Sequence, residues 1–331
     1  MNSKTDPCCR VCGSSEMAEW LYPREMMFGL RDKFAYFRCA GCGCLQLNEI
    51  PASLDKYYPG DYYSYQILHD VHPSWITRLK RRWFYPAMIR HKAGWKSAAG
   101  RWLCRIKDGP AFPHWLSFLA RPVSANGAVL DVGCGSGATL LALRSCGFVS
   151  LRGIDPFIPK PLTYAGGVHV DKQWLEDIQG RFDLIIFNHV FEHLDNPTAT
   201  LNHASRLLAD DGQILIRIPL ADSVAAQKYR ENWVQLDAPR HIILHTRKSM
   251  DLLAQKTGLQ IKRVAYDSTD FQFWGSEQYL LDIPLFDPRS YHSHSSNGIF
   301  PEEKIKSFFS EAELLNAREQ GDQAAFILTK K

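Results

Sequence analysis

The first feature of this sequence that can do chemistry is a run of glycines framed by two carboxylates. Val129-Leu130-Asp131-Val132 leads into Gly133-Cys134-Gly135-Ser136-Gly137, and Asp155 follows Gly133 by 22 residues. Glycines at the end of a strand permit positive φ and let the backbone come close to a ligand. The spacing of Gly133, Gly135 and Ala138 also satisfies a relaxed dinucleotide fingerprint, so the glycines alone do not discriminate. Asp131 does. A carboxylate at the strand tip repels a pyrophosphate seated on the following helix N-terminus, whereas it attracts an ammonium and a sulfonium. Asp155 offers an acceptor to two ribose hydroxyls, as in any nucleoside-binding sheet of this kind. S-adenosylmethionine carries the ammonium, the sulfonium and the ribose, and no phosphate.

A second constellation is sulfur. Six of the nine cysteines precede residue 45, and Cys9-x-x-Cys12-Gly and Cys39-x-x-Cys42-Gly form two knuckles with 26 residues between them. Each knuckle puts two thiolates on one tight turn, and the pair completes a tetrahedral Zn²⁺ site. Cys8 and Cys44 lie close enough to compete for the metal. Cys104, Cys134 and Cys146 read as structural thiols, although Cys134 also sits within the glycine turn and so among the expected cofactor contacts. A structural Zn²⁺ would fold some fifty residues that lack a core of their own.

These groups need elements to hold them. Apolar runs at 128–131, 151–154, 168–170, 182–187, 213–218, 259–265 and 324–329 predict seven strands with helices between them, a doubly wound α/β sheet. Phe182–Phe187 is continuously apolar, which suits a strand buried on both faces. A helix is expected over 138–146. Asn196-Pro197 reads as an N-cap with proline at the first helical position, and Asp210-Asp211-Gly212 as the stop beyond that helix. Thr246 caps another helix, with Gly258 just past its end. With 331 residues, 45% hydrophobic and 22% charged, the chain can bury a sizeable core. Disordered, collagen-like and disulfide-miniprotein classes are excluded. A net charge of +4, from 39 Lys+Arg against 35 Asp+Glu, does not by itself imply nucleic acid. The start, MNSKTDPCCR, lacks an export signal's apolar stretch, so reduced thiols and a cytoplasmic location are expected.

With these residues in place, the sequence resembles the class I S-adenosylmethionine-dependent methyltransferases. LDVGCGSG (130–137) and GIDP (153–156) are similar to their first two motifs. FDLIIFNHVFEHLDNP (182–197) and LLADDGQILIRIP (207–219) are similar to their fourth- and fifth-strand motifs. The resemblance implies a seven-stranded Rossmann-like sheet with an antiparallel final strand. Its implied cofactor contacts are Asp131, Gly133, Cys134, Gly135, Gly137, Asp155 and Pro156, with Asn188 and His189 beside the methionine part. Lys172, Gln173 or Trp174 flanks the adenine, and the sequence does not choose among them.

For catalysis, a histidine near neutral pKa suits removal of a proton from a hydroxyl acceptor. His193 and His241 are the candidates. His193 belongs to the EHL segment, which is either catalytic or a structural turn; His189 and His193 as a metal pair lack an evident third ligand. Trp233–His241 resembles a W…D-x-P-R-H segment lying over the acceptor side in relatives. There Asp237, Arg240 and His241 either bind a polar, even anionic, substrate or belong to a loop tied by an Arg–Asp pair. His245 precedes the Thr246 cap with no further role required. Tyr57-Tyr58-Pro59-Gly60-Asp61-Tyr62-Tyr63 resembles the aromatic linker after a zinc module.

The expected organisation is a zinc-ribbon module over 1–50, an aromatic and basic linker or lid over 51–125, and a methyltransferase domain over 126–331 with a substrate cover at about 267–323. From Val71 to Lys107 there is no acidic residue, and Trp75, Trp83, Trp95 and Trp102 interleave with Lys and Arg. That segment is a lid or subunit contact, a surface for peripheral contact with an anionic membrane, or a nucleic-acid groove. The expected activity is methyl transfer to a small-molecule or glycan acceptor, foremost a sugar nucleotide or lipid-linked saccharide. An RNA methyltransferase gripping through the zinc module and the basic segment, and a non-catalytic cofactor-binding scaffold, are the alternatives. The acceptor atom and the oligomeric state are not encoded legibly.

Overall fold

The computed structural model describes residues 7–59, 75–76, 79, 113–164, 166–293 and 299–331. The basic segment 71–107 and Cys104 fall almost wholly outside these residues, as do Tyr62 and Tyr63. The chain opens with β1 (Met17–Leu21), β2 (Tyr36–Cys39) and β3 (Leu45–Leu47), a small antiparallel meander. A large sheet follows, built from β4 (Ala128–Val132), β5 (Ser150–Ile154), β6 (Leu162–Tyr164), β7 (Val168–Asp171), β8 (Phe182–Asn188) and β9 (Leu208–Pro219). β10 (Ile243–Leu244) returns to the small sheet, and β11 (Leu259–Tyr266) and β12 (Gln323–Lys330) complete the large one.

The large sheet has the order β11-β12-β9-β8-β4-β5-β7-β6. β7, β5, β4, β8 and β9 run parallel, while β12 inserts antiparallel between β9 and β11. This is the expected α/β doubly wound, Rossmann-like arrangement with its antiparallel last strand. Among the described residues this sheet has eight strands rather than seven. The additional β6 is a three-residue edge strand, antiparallel to β7, too short for its apolar pattern to register. The fifth strand also begins earlier than Asp210-Asp211-Gly212 suggested. Those residues sit in an irregularity within β9, where Phe182 pairs with Leu208 and Leu184 with Gln213. A Cβ on Gly212 would lie 2.6 Å from Leu208, which is why the turn-like residues fit inside a strand.

Alternation explains how β8 is used. Leu184 and Ile186 enter the core on one face, with Val129, Leu151, Val170 and Leu215. Ile185 and Phe187 enter the other, with Leu130, Ile154, Ile214, Ile216 and Phe326. A central parallel strand covered on both sides needs its continuous apolar run. The helices are α1 (Ala138–Ser145), α2 (Pro197–Leu207), α3 (Val224–Tyr229), α4 (Arg247–Lys256), α5 (Phe271–Leu280) and α6 (Glu302–Ala317). The caps match the sequence. Asn196 accepts from Ala199 N, Thr246 forms a capping box with Ser249, and Gly258 takes φ +70°.

The cysteine meander is not set apart from the rest. β3 pairs with β10, Leu47 N donates to Ile242 O at 2.9 Å, and Lys256 Nζ reaches Val11 O at 2.6 Å. A third apolar core joins Leu21, Tyr36 and Leu45 of the meander to Trp233, Phe273 and Phe308. α5 and α6, within the expected substrate cover, pack there, with Phe273 and Phe308 stacked at 5.4 Å. Among the described residues, no helix is long and apolar enough to cross a membrane. Thr246 caps α4 and also donates through its hydroxyl to Cys42 O at 2.7 Å. Thr246→Val removes both roles, and we expect it to lower stability by about 1–2 kcal/mol in urea unfolding.

Candidate functional site

At the carboxyl ends of β4 and β5 the glycine turn closes against its neighbours. Gly133, Gly135 and Gly137 take φ of 65°, 53° and 86°. A Cβ on Gly133 would come within 2.7 Å of Val190, so only glycine allows the turn to pass under that residue. Asp131 is 1% exposed, and its Oδ2 has no hydrogen-bond partner. Burial, with Asp155 adding to it against a Thr139 hydrogen bond, pushes its carboxyl up to about 8. A buried carboxylate oxygen lacking a donor is costly, and an ammonium in the cleft relieves it. Asp155 accepts from Gly135 N and Phe157 N, both at 2.9 Å. It therefore locks the turn, with Ile158 N as a further backbone donor, and its carboxylate keeps acceptor capacity for a ribose hydroxyl.

Of the three residues offered for the adenine, Gln173 is held by Arg152 at 2.9 Å, whereas Trp174 stands 56% exposed. Trp174 meets Phe157 edge-on at 5.5 Å, and Phe157 is itself 66% exposed. Two uncovered aromatic rings, one of them two residues after Asp155, form an apolar wall suited to a purine. Phe157 was not singled out from sequence; its position two residues after Asp155 was the available signal. These residues fit S-adenosylmethionine: an orphaned buried carboxylate for its cationic end, glycines where a Cβ would intrude, and exposed rings for its base.

Past β8 the chain turns through His189, which adopts φ +56°. Arg217 Nη1 lies 2.9 Å from His189 Nε2 and 3.3 Å from Asn188 Oδ1, and Arg217 Nε donates to Asp267 at 2.7 Å. His189 Nε2 therefore accepts, and its proton resides on Nδ1, 3.4 Å from Glu192 Oε1. Asn188 and His189 are thus anchored to β9 by Arg217.

His193 and His241, distant in sequence, come together with ring centroids 4.7 Å apart. His193 Nδ1 lies 2.8 Å from Arg240 O and 3.3 Å from the Tyr58 hydroxyl. His241 Nδ1 lies 2.7 Å from Gln235 O. Each carbonyl can only accept, so each ring carries its proton on Nδ1 and its lone pair on Nε2. Burial, aided by the neighbouring His193, pushes His241 down to about 4, so it is neutral at pH 7. Glu192, 0% exposed, lies beside them with Oε1 3.8 Å from His241 Nε2; the sequence alone gives it no role. Burial pushes its carboxyl up, but His189, His193 and His241 outweigh that and hold it at about 2.

Asp237 and Arg240 resolve toward the tied loop. Arg240 is 0% exposed; it donates to Asp237 at 2.6–3.1 Å, to Glu25 at 2.9 Å and to Tyr57 O at 3.1 Å. No guanidinium edge is left for an anionic acceptor, which corrects that half of the expectation. His245 is buried, with Nδ1 3.2 Å from Ser249 Oγ beside the Thr246 cap.

Cys9, Cys12, Cys39 and Cys42 gather their sulfurs within 4.8 Å of one another. Cys9–Cys42 and Cys12–Cys39 are 3.5 and 3.4 Å apart, near the roughly 3.8 Å edge of a tetrahedron with Zn–S bonds of about 2.3 Å. Cys12 N donates to Cys9 Sγ and Cys42 N to Cys39 Sγ, so each knuckle turns a backbone donor onto its first sulfur. The donor set fits structural Zn²⁺. Cys44 Sγ lies only 3.1 Å from Cys42 Sγ, and Gln46 Nε2 donates to both Cys9 and Cys44. Cys8 is exposed, outside the four.

Residues 106–264 match the family model of a methyltransferase domain. The ubiquinone biosynthesis O-methyltransferase of Pseudomonas paraeruginosa is 29% identical over 143 residues, covering 38% of this chain and 60% of that protein. The mitochondrial ubiquinone biosynthesis O-methyltransferase of Saccharomyces cerevisiae is 32% identical over 101 residues, covering 27% and 32%. The chain thus spans about 60% of the length of the first of these relatives and less of the second. A solved S-adenosylmethionine-dependent methyltransferase from Archaeoglobus fulgidus superposes with a TM-score of 0.40 at 19% identity, over 62% of this chain and 86% of that one.

Removing the Arg240 guanidinium strands two buried carboxylates. Arg240→Met is expected to destabilise the fold by about 3–5 kcal/mol in urea unfolding. Were Arg240 an acceptor-binding group instead, stability would hold and only the acceptor's KM would rise.

Proposed function

We propose that this chain, whose residues 106–264 belong to the methyltransferase domain family, transfers a methyl group from S-adenosylmethionine to a hydroxyl of a small-molecule acceptor. The observation that carries the cofactor half is Asp131, a fully buried carboxylate with an orphaned oxygen at the glycine turn. Bound S-adenosylmethionine supplies a methyl group already activated by its sulfonium. The chain's own residues bind and orient. Asp131 receives the ammonium end, Asp155 the ribose, and Phe157 with Trp174 the base. The acceptor enters from the side of Glu192, His193 and His241, where Tyr58 reaches His193. An ionised carboxylate with two imidazole lone pairs there holds a hydroxyl and polarises its proton away, the service an oxygen nucleophile needs. Alignment of acceptor oxygen and methyl carbon does the rest.

A carbohydrate acceptor, as a sugar nucleotide or lipid-linked saccharide, is the reading taken from sequence. The matched relatives, both named as ubiquinone biosynthesis O-methyltransferases, favour a second, a phenolic hydroxyl on an apolar ring. The membrane-contact reading and the basic-segment part of the RNA grip rest on 71–107, almost wholly outside the described residues. The scaffold reading is opposed by the intact Asp131, Asp155 and Glu192 group. Transfer of labelled methyl to sugar nucleotides and to polyprenylated catechols, assayed side by side, separates the acceptors; labelling of neither, with cofactor bound, favours the scaffold.

Two outcomes test the cofactor site. Asp155→Ala is expected to weaken S-adenosylhomocysteine binding at least tenfold by calorimetry; unchanged affinity removes the ribose role. The second concerns pH. Asp131 is raised from 3.8 to about 8 in the unliganded fold, so its contribution to stability is complete below about pH 4 and lost as pH climbs through 8. The cationic donor binds the ionised form. S-adenosylmethionine affinity should therefore weaken by up to about tenfold per unit as pH falls below 8 and level off above it. Asp131→Asn should abolish the slope.

A further inference from the structure

The described residues hold a second set of metal-ligand types, chemically unlike the cysteines. Glu192, His193 and His241 bring one donor atom each within 4.8 Å of the others. We propose that these three residues bind a divalent transition-metal ion, a site of the two-histidine, one-carboxylate type separate from the Cys₄ cluster.

Three observations support it beyond proximity. Glu192 is completely buried, and the one donor beside it is His189 Nδ1, at a long 3.4 Å from Oε1; Oε2 has none. His241 Nε2 lies 3.8 Å from Oε1. A carboxylate taken out of water with so little donation is costly for a fold to keep, and a cation lowers the cost. Both imidazoles are prepared as ligands. Their Nδ1 protons are directed onto Arg240 O and Gln235 O, which fixes the tautomer and leaves Nε2 with the lone pair, the usual outer-shell arrangement around a metal. The loop supplying those carbonyls is itself pinned by the buried Arg240–Asp237–Glu25 ion group, so the donors are held before any ion arrives. Nitrogen and oxygen donors in this ratio suit Mn²⁺, Fe²⁺ or Co²⁺, and three protein ligands leave coordination positions open.

The site's existence stands on this geometry alone; its use rests on the methyl-transfer reading. A cation there takes the acceptor's hydroxyl oxygen in an open position and lowers its pKa. The hydroxyl proton leaves to water, the O–CH₃ bond forms as the S–CH₃ bond breaks, and the sulfonium becomes a neutral thioether. The class of acceptor implied is one whose hydroxyl can reach a metal, such as a catechol or a vicinal diol.

The test uses the full chain with its cysteine cluster loaded with Zn²⁺, titrated with Mn²⁺ and followed by electron paramagnetic resonance. One saturable equivalent of Mn²⁺ is expected. Glu192→Gln and, separately, the half-exposed His193→Asn should each weaken it at least tenfold, with zinc content and S-adenosylhomocysteine binding retained. If either variant fails to fold, the other still reads the site. Absence of saturable Mn²⁺ uptake, or uptake indifferent to both substitutions, overturns the proposal and leaves a metal-free histidine–carboxylate group. Mn²⁺ bound with no S-adenosylhomocysteine binding would sink the methyl-transfer reading and keep the metal site.

Discussion

The rest of the structure depends on a guanidinium taken completely out of water. Arg240 costs several kcal/mol to bury unless its donors are used, and the fold uses them on groups far apart in sequence. Asp237 accepts from two nitrogens, Glu25 from one, and the Tyr57 carbonyl from another. Glu25 in turn accepts from Phe28 N and Leu30 N, so its own turn is fixed by the same charge. One side chain thereby ties the meander, the segment after it, and the loop carrying His241. None of the three can shift without exposing or stranding a charge.

This tie changes what the cysteine module is for. On sequence grounds a structural metal folds residues that cannot fold otherwise, remote from chemistry. In the fold, the meander extends its sheet through β10, whose neighbour Ile242 follows His241 directly, and Tyr36 donates to His241 O at 2.7 Å. The knuckles are covered by the start of α4 through Thr246. The module is therefore built into the loop that carries His241, joined to it by backbone pairing and by the Tyr36 hydroxyl.

What the sequence made legible follows from the range of the forces involved. The glycine turn, β8, the Asn196 and Thr246 caps and the two knuckles are local; each is specified by residues within about a dozen positions of one another, and each stands as read. β6 was missed because three residues carry no period, and the early start of β9 because Asp-Asp-Gly signals a turn unless a neighbouring strand accommodates it. The site was half legible. Asp131 and Asp155 announce themselves by sitting beside glycines, and His193 and His241 by residue type. Glu192 and Glu25 did not, because their meaning lies in burial beside partners about 50 and 215 residues away, which no spacing encodes. Arg240 looked equally like a ligand hook or a loop tie until its exposure was known.

The end of β8 carries a polar chain whose direction is fixed. Asp267 holds Arg217, and Arg217 occupies His189 Nε2, so His189 can present only a proton toward Glu192. His193 and His241, held by backbone carbonyls, can present only lone pairs. Glu192 Oε1 lies 3.4 Å from the His189 donor and 3.8 Å from His241 Nε2. Arg240, through the loop it pins, keeps in place the carbonyls that hold the two rings. The positive φ of His189 belongs to the same turn, because it takes the chain out of β8 directly after Asn188 and into the short helical turn that carries Glu192 and His193.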